Sequence, residues 1–322
     1  MRVVAILNGY TGALCLQELV DQGAEVVGVV TSPADPYPGQ PPETSVKLTA
    51  DRNYLPVYQP PMEDVNKPEF LGILRRLRPD LIVSMHFPVI FVQELLAIPL
   101  LGCVNEHPSR LPAGRGMTPS CWHMLIGDDK NWITLHYLDP GIDTGDVIAQ
   151  GWVDITTDDT GFTTGRKLSQ EGHRIFAEAL PLIREGKAPR IPQHQIEGVK
   201  PSYYSWKPHY AHIQWDRSAE ELALHIRALS HPKELPSWTG CAYTHLIGRR
   251  VSVWEAHVVE GGRWAWQEAD PGEILALTGE GLLVKTGAGI LLLTDVNLEG
   301  AEEQGPASLF EMLMTGLPAA FG

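Results

Sequence analysis

The sequence predicts an α/β protein, a mainly parallel sheet with helices on both faces, followed by a small β-barrel domain. Three observations point there. Short apolar runs alternate with amphipathic stretches over the first 187 residues, a proline- and aromatic-rich segment fills 188–208, and short strands separated by glycine turns follow over 209–322. Strand and helix in alternation build parallel sheets covered on both faces, whereas short glycine-punctuated strands build small antiparallel barrels. The expected organisation is a catalytic domain at 1–187, a linker at 188–208 and a second domain at 209–322.

In the first domain, apolar runs at 2–7, 25–31, 55–58, 80–85, 102–105 and 132–137 read as strands, and 12–22, 45–52, 67–78, 92–96, 118–126 and 163–184 as helices. The first strand enters Asn8-Gly-Tyr-Thr-Gly12, which lacks the three-glycine spacing of a dinucleotide fingerprint, so NAD is not expected. Gly9 and Gly12 allow a tight strand-to-helix turn. The same helix start offers Gly9, Tyr10 and Thr11 as candidates for binding a phosphate of a substrate. The next connection, 32–42, holds five prolines and no lysine or arginine, so it is stiff, either a lid or an ordered surface connection.

In the second half, Tyr203, Tyr204 and Trp206 of the linker either stack on a base or sugar or fill a seam. Residues 219–229 suit an amphipathic helix, and 242–247, 250–257, 272–277, 281–285 and 290–296 suit strands. Trp254, Trp264 and Trp266 lack interleaved arginines and are expected to be buried or at an interface.

The chain has 322 residues, 43% of them hydrophobic, enough for two cores. No run approaches the ~20 apolar residues that span a bilayer, and the N-terminus reads as a strand rather than a signal peptide. Cys15, Cys103, Cys121 and Cys241 are scattered without a Cys-x-x-Cys pair, which points to reduced thiols in a cytoplasmic setting. The net charge is −14, and 17 basic against 24 acidic residues in 1–200 and 8 against 15 in 201–322 leave neither part basic. Nucleic-acid binding needs phosphates neutralised by lysine and arginine, so it is disfavoured.

The chemistry centres on Asn105, His107 and Asp143. Side chains at i and i+2 of a strand share a face, so Asn105 and His107 converge on one reacting carbon while Glu106 points away. An amide can donate to an oxygen that turns negative, and a carboxylate such as Asp143 bonded to one ring nitrogen of His107 would fix its tautomer and leave the other nitrogen to handle the proton of an attacking amine. On the alternative reading, Asn-x-His at a strand end is turn chemistry and Asp143 a turn residue between Gly141 and Gly145. A metal hydrolase built on His86, His107, His136, Glu106 and Asp143 is a rival, but no His-Glu-x-x-His or equivalent spacing occurs and no metal is expected.

Val104-Asn-Glu-His-Pro-Ser-Arg-Leu-Pro112, Gly114-Arg-Gly116, Ile133-Thr-Leu-His136 and Ile142-Asp-Thr-Gly145 fall in one order at tight spacings. In these the chain resembles the formyltetrahydrofolate-dependent formyltransferases, and Pro201-Ser-Tyr-Tyr204 and the region beyond look like the longer members. The resemblance implies a Rossmann-like first domain, an OB-like second one, 10-formyltetrahydrofolate as formyl donor, and Asn105, His107 and Asp143 as the catalytic residues. It also implies that the pterin lies along the loop holding His86, Phe87 and Ile90, with Ile142 nearby. Phe87 and Ile90 as plain core is the rival reading. Pro108 follows His107 where the tRNA and many sugar members carry glycine.

The expected reaction moves the formyl group to a primary amine of a small molecule, with a nucleotide-linked amino sugar as the foremost example. Members acting on tRNA usually carry basic residues in the connection at 32–42, and this chain carries none there. Methionyl-tRNA formylation and hydrolysis of formyltetrahydrofolate by water use the same three residues, and an OB-type nucleic-acid binder is the rival of another class. The sequence leaves the oligomeric state open, a homodimer included.

Overall fold

The fold was established from a computed structural model, which describes residues 1–233, 239–260, 268–300 and 320–321. Two compact units emerge: Met1–Ser120 with Lys130–Asp154 and Gly165–Ser205, and Cys121–Asp129 with Ile155–Thr164 and Trp206–Gly322. The stretches 121–129 and 155–164 thus cluster with the second unit, although they lie inside the first 187 residues.

In chain order the first 187 residues form β1 (Arg2–Leu7), α1 (Gly9–Asp21), β2 (Glu25–Val30), α2 (Val46–Arg52), β3 (Val57–Tyr58), α3 (Pro68–Leu77), β4 (Leu81–Met85), α4 (Gln93–Leu96) and β5 (Cys103–His107). There follow β6 (Arg115–Gly116), α5 (Pro119–Leu125), β7 (Lys130–Tyr137), β8 (Val147–Asp154) and α6 (Gly161–Arg184). A seven-stranded sheet runs β3-β2-β1-β4-β5-β7-β8, parallel from β3 to β5 and antiparallel at β7 and β8. This is the expected mainly parallel α/β sheet. Residues 3–7 and 81–85 are buried throughout, the near-continuous apolar pattern of strands covered on both faces.

One core cluster joins β1, β4 and β5 to α1 and α6 through Leu16, Leu19, Phe176 and Leu180. Another joins the same strands to α3 and α4 through Phe70, Leu74 and Leu95. The helix after β1 begins at Gly9, three residues before the expected start, and Gly9 takes φ +62°. A side chain at Gly12 would meet the Leu7 Cβ at 2.9 Å, so the close strand-to-helix approach needs glycine there.

Strand β8 was not expected. Its Ala149-Gln-Gly151 interrupts the apolar run, yet it pairs with β7 from Lys130↔Asp154 to His136↔Val147. The connection after β2 is ordered by internal hydrogen bonds. Gln59 Nε2 donates to the Ser32 and Asp35 carbonyls at 2.7 Å each, and Asp35 Oδ2 accepts from the Thr31 hydroxyl at 3.0 Å and the Lys47 amide at 2.9 Å.

Beyond 188 come β9 (Tyr203–Tyr204), α7 (Ala219–Leu229), β10 (Ala242–Leu246), β11 (Arg249–Val258), β12 (Ile274–Leu277), β13 (Leu282–Lys285) and β14 (Ile290–Leu298). Helix α7 starts on a capping box in which Ser218 and Glu221 exchange bonds. The last five strands form an antiparallel sheet in the order β10-β11-β14-β13-β12, whose inner residues pack on Leu222, Ile226 and Leu229 of α7. This is the small antiparallel β domain expected from the glycine-spaced strands.

Trp206 meets Trp122 and Tyr210 edge-on at 6.0 and 5.8 Å, an aromatic cluster within the second unit. Trp254 is half-buried with the His231 ring 4.9 Å away, and Trp264 and Trp266 lie outside the described residues. All four cysteines are buried free thiols. Among the described residues no helix is long and apolar enough to cross a membrane.

Candidate active site

Strand β5 ends at the site. In register with it, Ser84↔Asn105 on β4 and Asn105↔His136 and His107↔Thr134 on β7 set the three polar side chains beside one another at the carboxyl end of the parallel strands. The alternation holds as expected. Glu106 points to the other face, where its carboxyl packs against Gly172 of α6.

His107 is buried, and its two ring nitrogens have different partners. Nε2–H donates to the Gly114 carbonyl at 2.9 Å, and Nδ1 faces Asp143 Oδ1 at 3.5 Å. A carbonyl only accepts, so the proton resides on Nε2 in the neutral ring. A ring flip would set C–H groups against both oxygens. The tautomer is therefore fixed by a backbone carbonyl rather than by the carboxylate. The nitrogen left to take up a proton is Nδ1, on the carboxylate side, which corrects the expectation that Asp143 occupies one nitrogen and leaves the other free. A proton between Nδ1 and Oδ1 would turn two facing lone pairs into a charge-assisted hydrogen bond.

The Gly114 carbonyl is held by a compact turn. The Ser109 hydroxyl donates to the Ala113 carbonyl at 2.8 Å, and the Thr134 hydroxyl donates to the Ser109 carbonyl at 2.6 Å. Gln150 on β8 donates to both the Leu111 carbonyl and the Thr134 hydroxyl at 2.9 Å. The Gly114 amide donates to the Ser202 hydroxyl at 2.9 Å. Strand β8, unseen in the sequence, thus braces the turn that orients His107.

Asn105 Nδ2 donates to His136 Nε2 at 3.3 Å. His136 is fully buried and gives its own Nδ1–H to the Tyr137 carbonyl at 2.8 Å, so Nε2 is an acceptor. Burial pushes its pKa down to about 4, with Asp143 opposing the shift and His107 adding to it, which keeps the ring neutral at pH 7. An acceptor nitrogen must face the amide NH2 and not its oxygen, so His136 selects one of the two flips of Asn105. The second N–H of Nδ2 is left over from this bond. Both ring nitrogens of His136 are thus bonded, one of them to Asn105.

Asp143 adopts φ +52°, a left-handed conformation unusual outside glycine. Its Oδ2 accepts the Gly116 amide at 2.9 Å, and Asp139 Oδ1 accepts from the Gly141 amide at 3.1 Å and the Thr144 hydroxyl at 2.6 Å within the same turn. Gln193 is buried and donates Nε2 to the carbonyls of Asp143 at 2.8 Å and Gly145 at 2.9 Å. Its Oε1 accepts from Arg115 Nε at 3.1 Å and Nη2 at 2.6 Å. Gly114 and Arg115 lie in Gly114-Arg-Gly116 and Ser202 in Pro201-Ser-Tyr-Tyr204, stretches that gave these residues no role from sequence, and Gln193 carries no motif of its own.

The remaining sequence candidates separate. His86 is exposed at φ +52° just past β4. Phe87 is buried in the core with Phe91, whereas Ile90 is 67% and Ile142 48% exposed, so Ile90 is not core. Ile90 lies on the loop that follows β4 and Ile142 on the loop that follows β7, beside Asp143. Gly9 is exposed and Tyr10 half-buried beneath Arg166, whose guanidinium lies 3.6 Å from the ring centroid. Thr11 is buried, and its hydroxyl donates to Ser169 Oγ at 2.8 Å, leaving it spent within the core. Tyr203 is exposed with its hydroxyl accepting from Arg115, and the Tyr204 ring packs on Gly114. Among the described residues no group of three His, Cys, Asp or Glu side chains could hold a metal ion.

Residues 1–180 match the family described as formyl transferase, and residues 206–313 match its C-terminal domain. The chain is 34% identical over 303 residues to the methionyl-tRNA formyltransferase of Pelotomaculum thermopropionicum, covering 94% of this chain and 92% of that protein. The structure resembles an N-formyltransferase from Helicobacter canadensis in complex with folinic acid and dTDP-3-aminofucose, with a TM-score of 0.63, 18% identity, and 91% of this chain and 98% of that chain covered. It also resembles HypX from Aquifex aeolicus in complex with tetrahydrofolic acid, with a TM-score of 0.66, 17% identity, and 98% of this chain and 48% of that chain covered. With matches along both halves and a relative at this identity over nearly its whole length, the chain belongs to the formyl transferase family and is a folate-dependent N-formyltransferase whose donor is 10-formyltetrahydrofolate.

Proposed function

We propose that the chain transfers the formyl group to the primary amine of a small molecule, with a nucleotide-linked amino sugar as the foremost example. The donor supplies an acyl carbon activated on a folate nitrogen. Asn105 donates its free N–H to the formyl oxygen as that oxygen gains charge, worth roughly 3 to 4 kcal/mol in comparable sites. His107 Nδ1 and Asp143 Oδ1 together accept the proton that the attacking amine loses and return it to the folate nitrogen as its bond to the formyl carbon breaks, giving the formamide and tetrahydrofolate, while the Gly114 carbonyl holds the other ring nitrogen protonated. His86, Ile90 and Ile142 line the approach of the pterin, with Phe87 supporting the loop from the core. Gly9 and Tyr10 face the acceptor, and Thr11 supports them through Ser169.

The observation that carries the choice of acceptor is the connection after β2. Between Thr31 and Val46 it holds Asp35 and Glu43 and no lysine or arginine, and it is tied down by its own hydrogen bonds. Such a segment offers nothing to the phosphates of an RNA stem. Methionyl-tRNA is the second reading, favoured by the 34% identity to a methionyl-tRNA formyltransferase. An assay with 10-formyltetrahydrofolate and either charged initiator tRNA, nucleotide-linked amino sugars, or no acceptor separates the readings. Formylation of an amino sugar with none of the tRNA supports the proposal. Efficient, salt-sensitive formylation of the tRNA, or folate release equally fast without acceptor, defeats it.

A further inference from the structure

We propose that Gln193 is a positioning residue for His107 and Asp143, an inference that rests on reading that pair as the proton acceptor. Gln193 lies in the segment 188–208, which reads as a linker, yet its side chain is buried and every hydrogen-bonding site on it is occupied. The two N–H groups of Nε2 go to the Asp143 and Gly145 carbonyls, and the lone pairs of Oε1 receive Arg115 Nε and Nη2. The residues on either side of Arg115 make the two backbone contacts of the pair: the Gly114 carbonyl receives His107 Nε2–H, and the Gly116 amide donates to Asp143 Oδ2. Gln193 therefore closes a ring that runs through Arg115, Gly114, His107 and Asp143.

That ring has a mechanical consequence. Asp143 stands in a left-handed conformation on a turn, and the 3.5 Å gap between its Oδ1 and His107 Nδ1 depends on where the turn is pinned. The turn carries Asp143, the 114–116 segment carries the partners of His107 Nε2 and Asp143 Oδ2, and the Gln193 side chain bonds to both. Strand β9 and the Ser202 hydroxyl anchor the same segment from the neighbouring residues, Arg115↔Tyr203 and Gly116↔Tyr204 in register. Only a side chain with two donors and one double acceptor at this length satisfies all four partners. Glutamate lacks the donors, methionine lacks both, and asparagine is one methylene short.

The test uses the full chain carrying Gln193→Met, Gln193→Glu or Arg115→Lys. Measured are the kcat and KM for 10-formyltetrahydrofolate with whichever acceptor wild type accepts, the thermal midpoint, and the 15N ring resonances of His107. Both Gln193 variants are expected to lose about tenfold or more in kcat with KM within about twofold, because misplacement of a reacting group by ~1 Å costs on the order of 10²-fold. The His107 resonances are expected to move from a single Nε2–H tautomer to an averaged pair. Gln193→Glu keeps the acceptor for Arg115 and should fail as Gln193→Met does, since the donors to the Asp143 turn are what it lacks. Folded variants with unchanged kcat and unchanged ring resonances overturn the proposal. If neither Gln193 variant folds, Arg115→Lys decides on the same two readouts, and no change in either overturns it. If wild type formylates no acceptor, the proposed function fails, while the ring resonances still decide the role of Gln193.

Discussion

Asn105 Nδ2 donates to the neutral Nε2 of His136 across 3.3 Å, and this bond selects one of the two flips of the amide. His136→Phe removes the acceptor and lets the amide sample both flips. Its kcat should fall about tenfold, less than the ~10²- to 10³-fold expected when Asn105→Ala removes the oxyanion donor. In the double variant the two losses should not add, because they act through one amide. Steady-state kinetics on the three proteins checks this, and full additivity would show that His136 acts elsewhere.

The Thr11 hydroxyl is spent on Ser169 Oγ at 2.8 Å. Thr11→Val should therefore leave KM for the acceptor and kcat within about twofold, while stability drops by ~1 kcal/mol for the lost buried hydrogen bond. A large rise in the acceptor KM would return Thr11 to direct substrate contact.

Glu106 makes stability depend on pH. Burial raises its pKa from the ordinary 4.5 to about 8, and neither carboxyl oxygen has a hydrogen-bond partner. Below about pH 4.5 both folded and unfolded chains hold the proton and Glu106 contributes nothing to the slope. From there to about pH 8 the unfolded chain releases it while the folded chain keeps it, so stability falls as pH rises and levels off above. Glu106→Gln should flatten this segment of a denaturation-versus-pH curve and gain on the order of a few kcal/mol over wild type at pH 8. An unchanged slope would mean that the carboxyl finds a partner or water in solution.

Gly172 owes its identity to the same carboxyl, since a Cβ there would collide with the Glu106 side chain. Gly172→Ala should cost ~1 to 3 kcal/mol through overpacking. In a Glu106→Ala background most of that cost should vanish, and denaturant midpoints of the cycle measure it. Equal costs in both backgrounds would place the strain elsewhere.

Much of the fold was legible because the buried strands write themselves as apolar runs. Val3 to Leu7 and Leu81 to Met85 have no polar interruption beyond Ser84, and the Asn-x-His alternation gave the facing of Asn105, Glu106 and His107 directly. Strand β8 stayed hidden because it lies at the edge of the sheet, half-exposed, with Ala149-Gln-Gly151 breaking its pattern. The site was legible where side chains do the work and silent where backbone does. The Gly114 carbonyl that fixes the His107 tautomer has no side-chain signature, and Gln193 reaches Asp143 from 50 residues away through a contact only folding creates.

The central claim is that His107 and Asp143 form one proton acceptor. Asp143→Asn tests it most directly: its amide oxygen can still accept from the Gly116 amide, while its NH2 would face His107 Nδ1 and donate into the lone pair that must receive the proton. The decisive measurement is the single-turnover rate of formyl transfer in an Asp143→Asn protein whose melting temperature and folinic acid affinity match wild type. The account predicts a rate at least about 10²-fold slower. A rate within about twofold of wild type would contradict it.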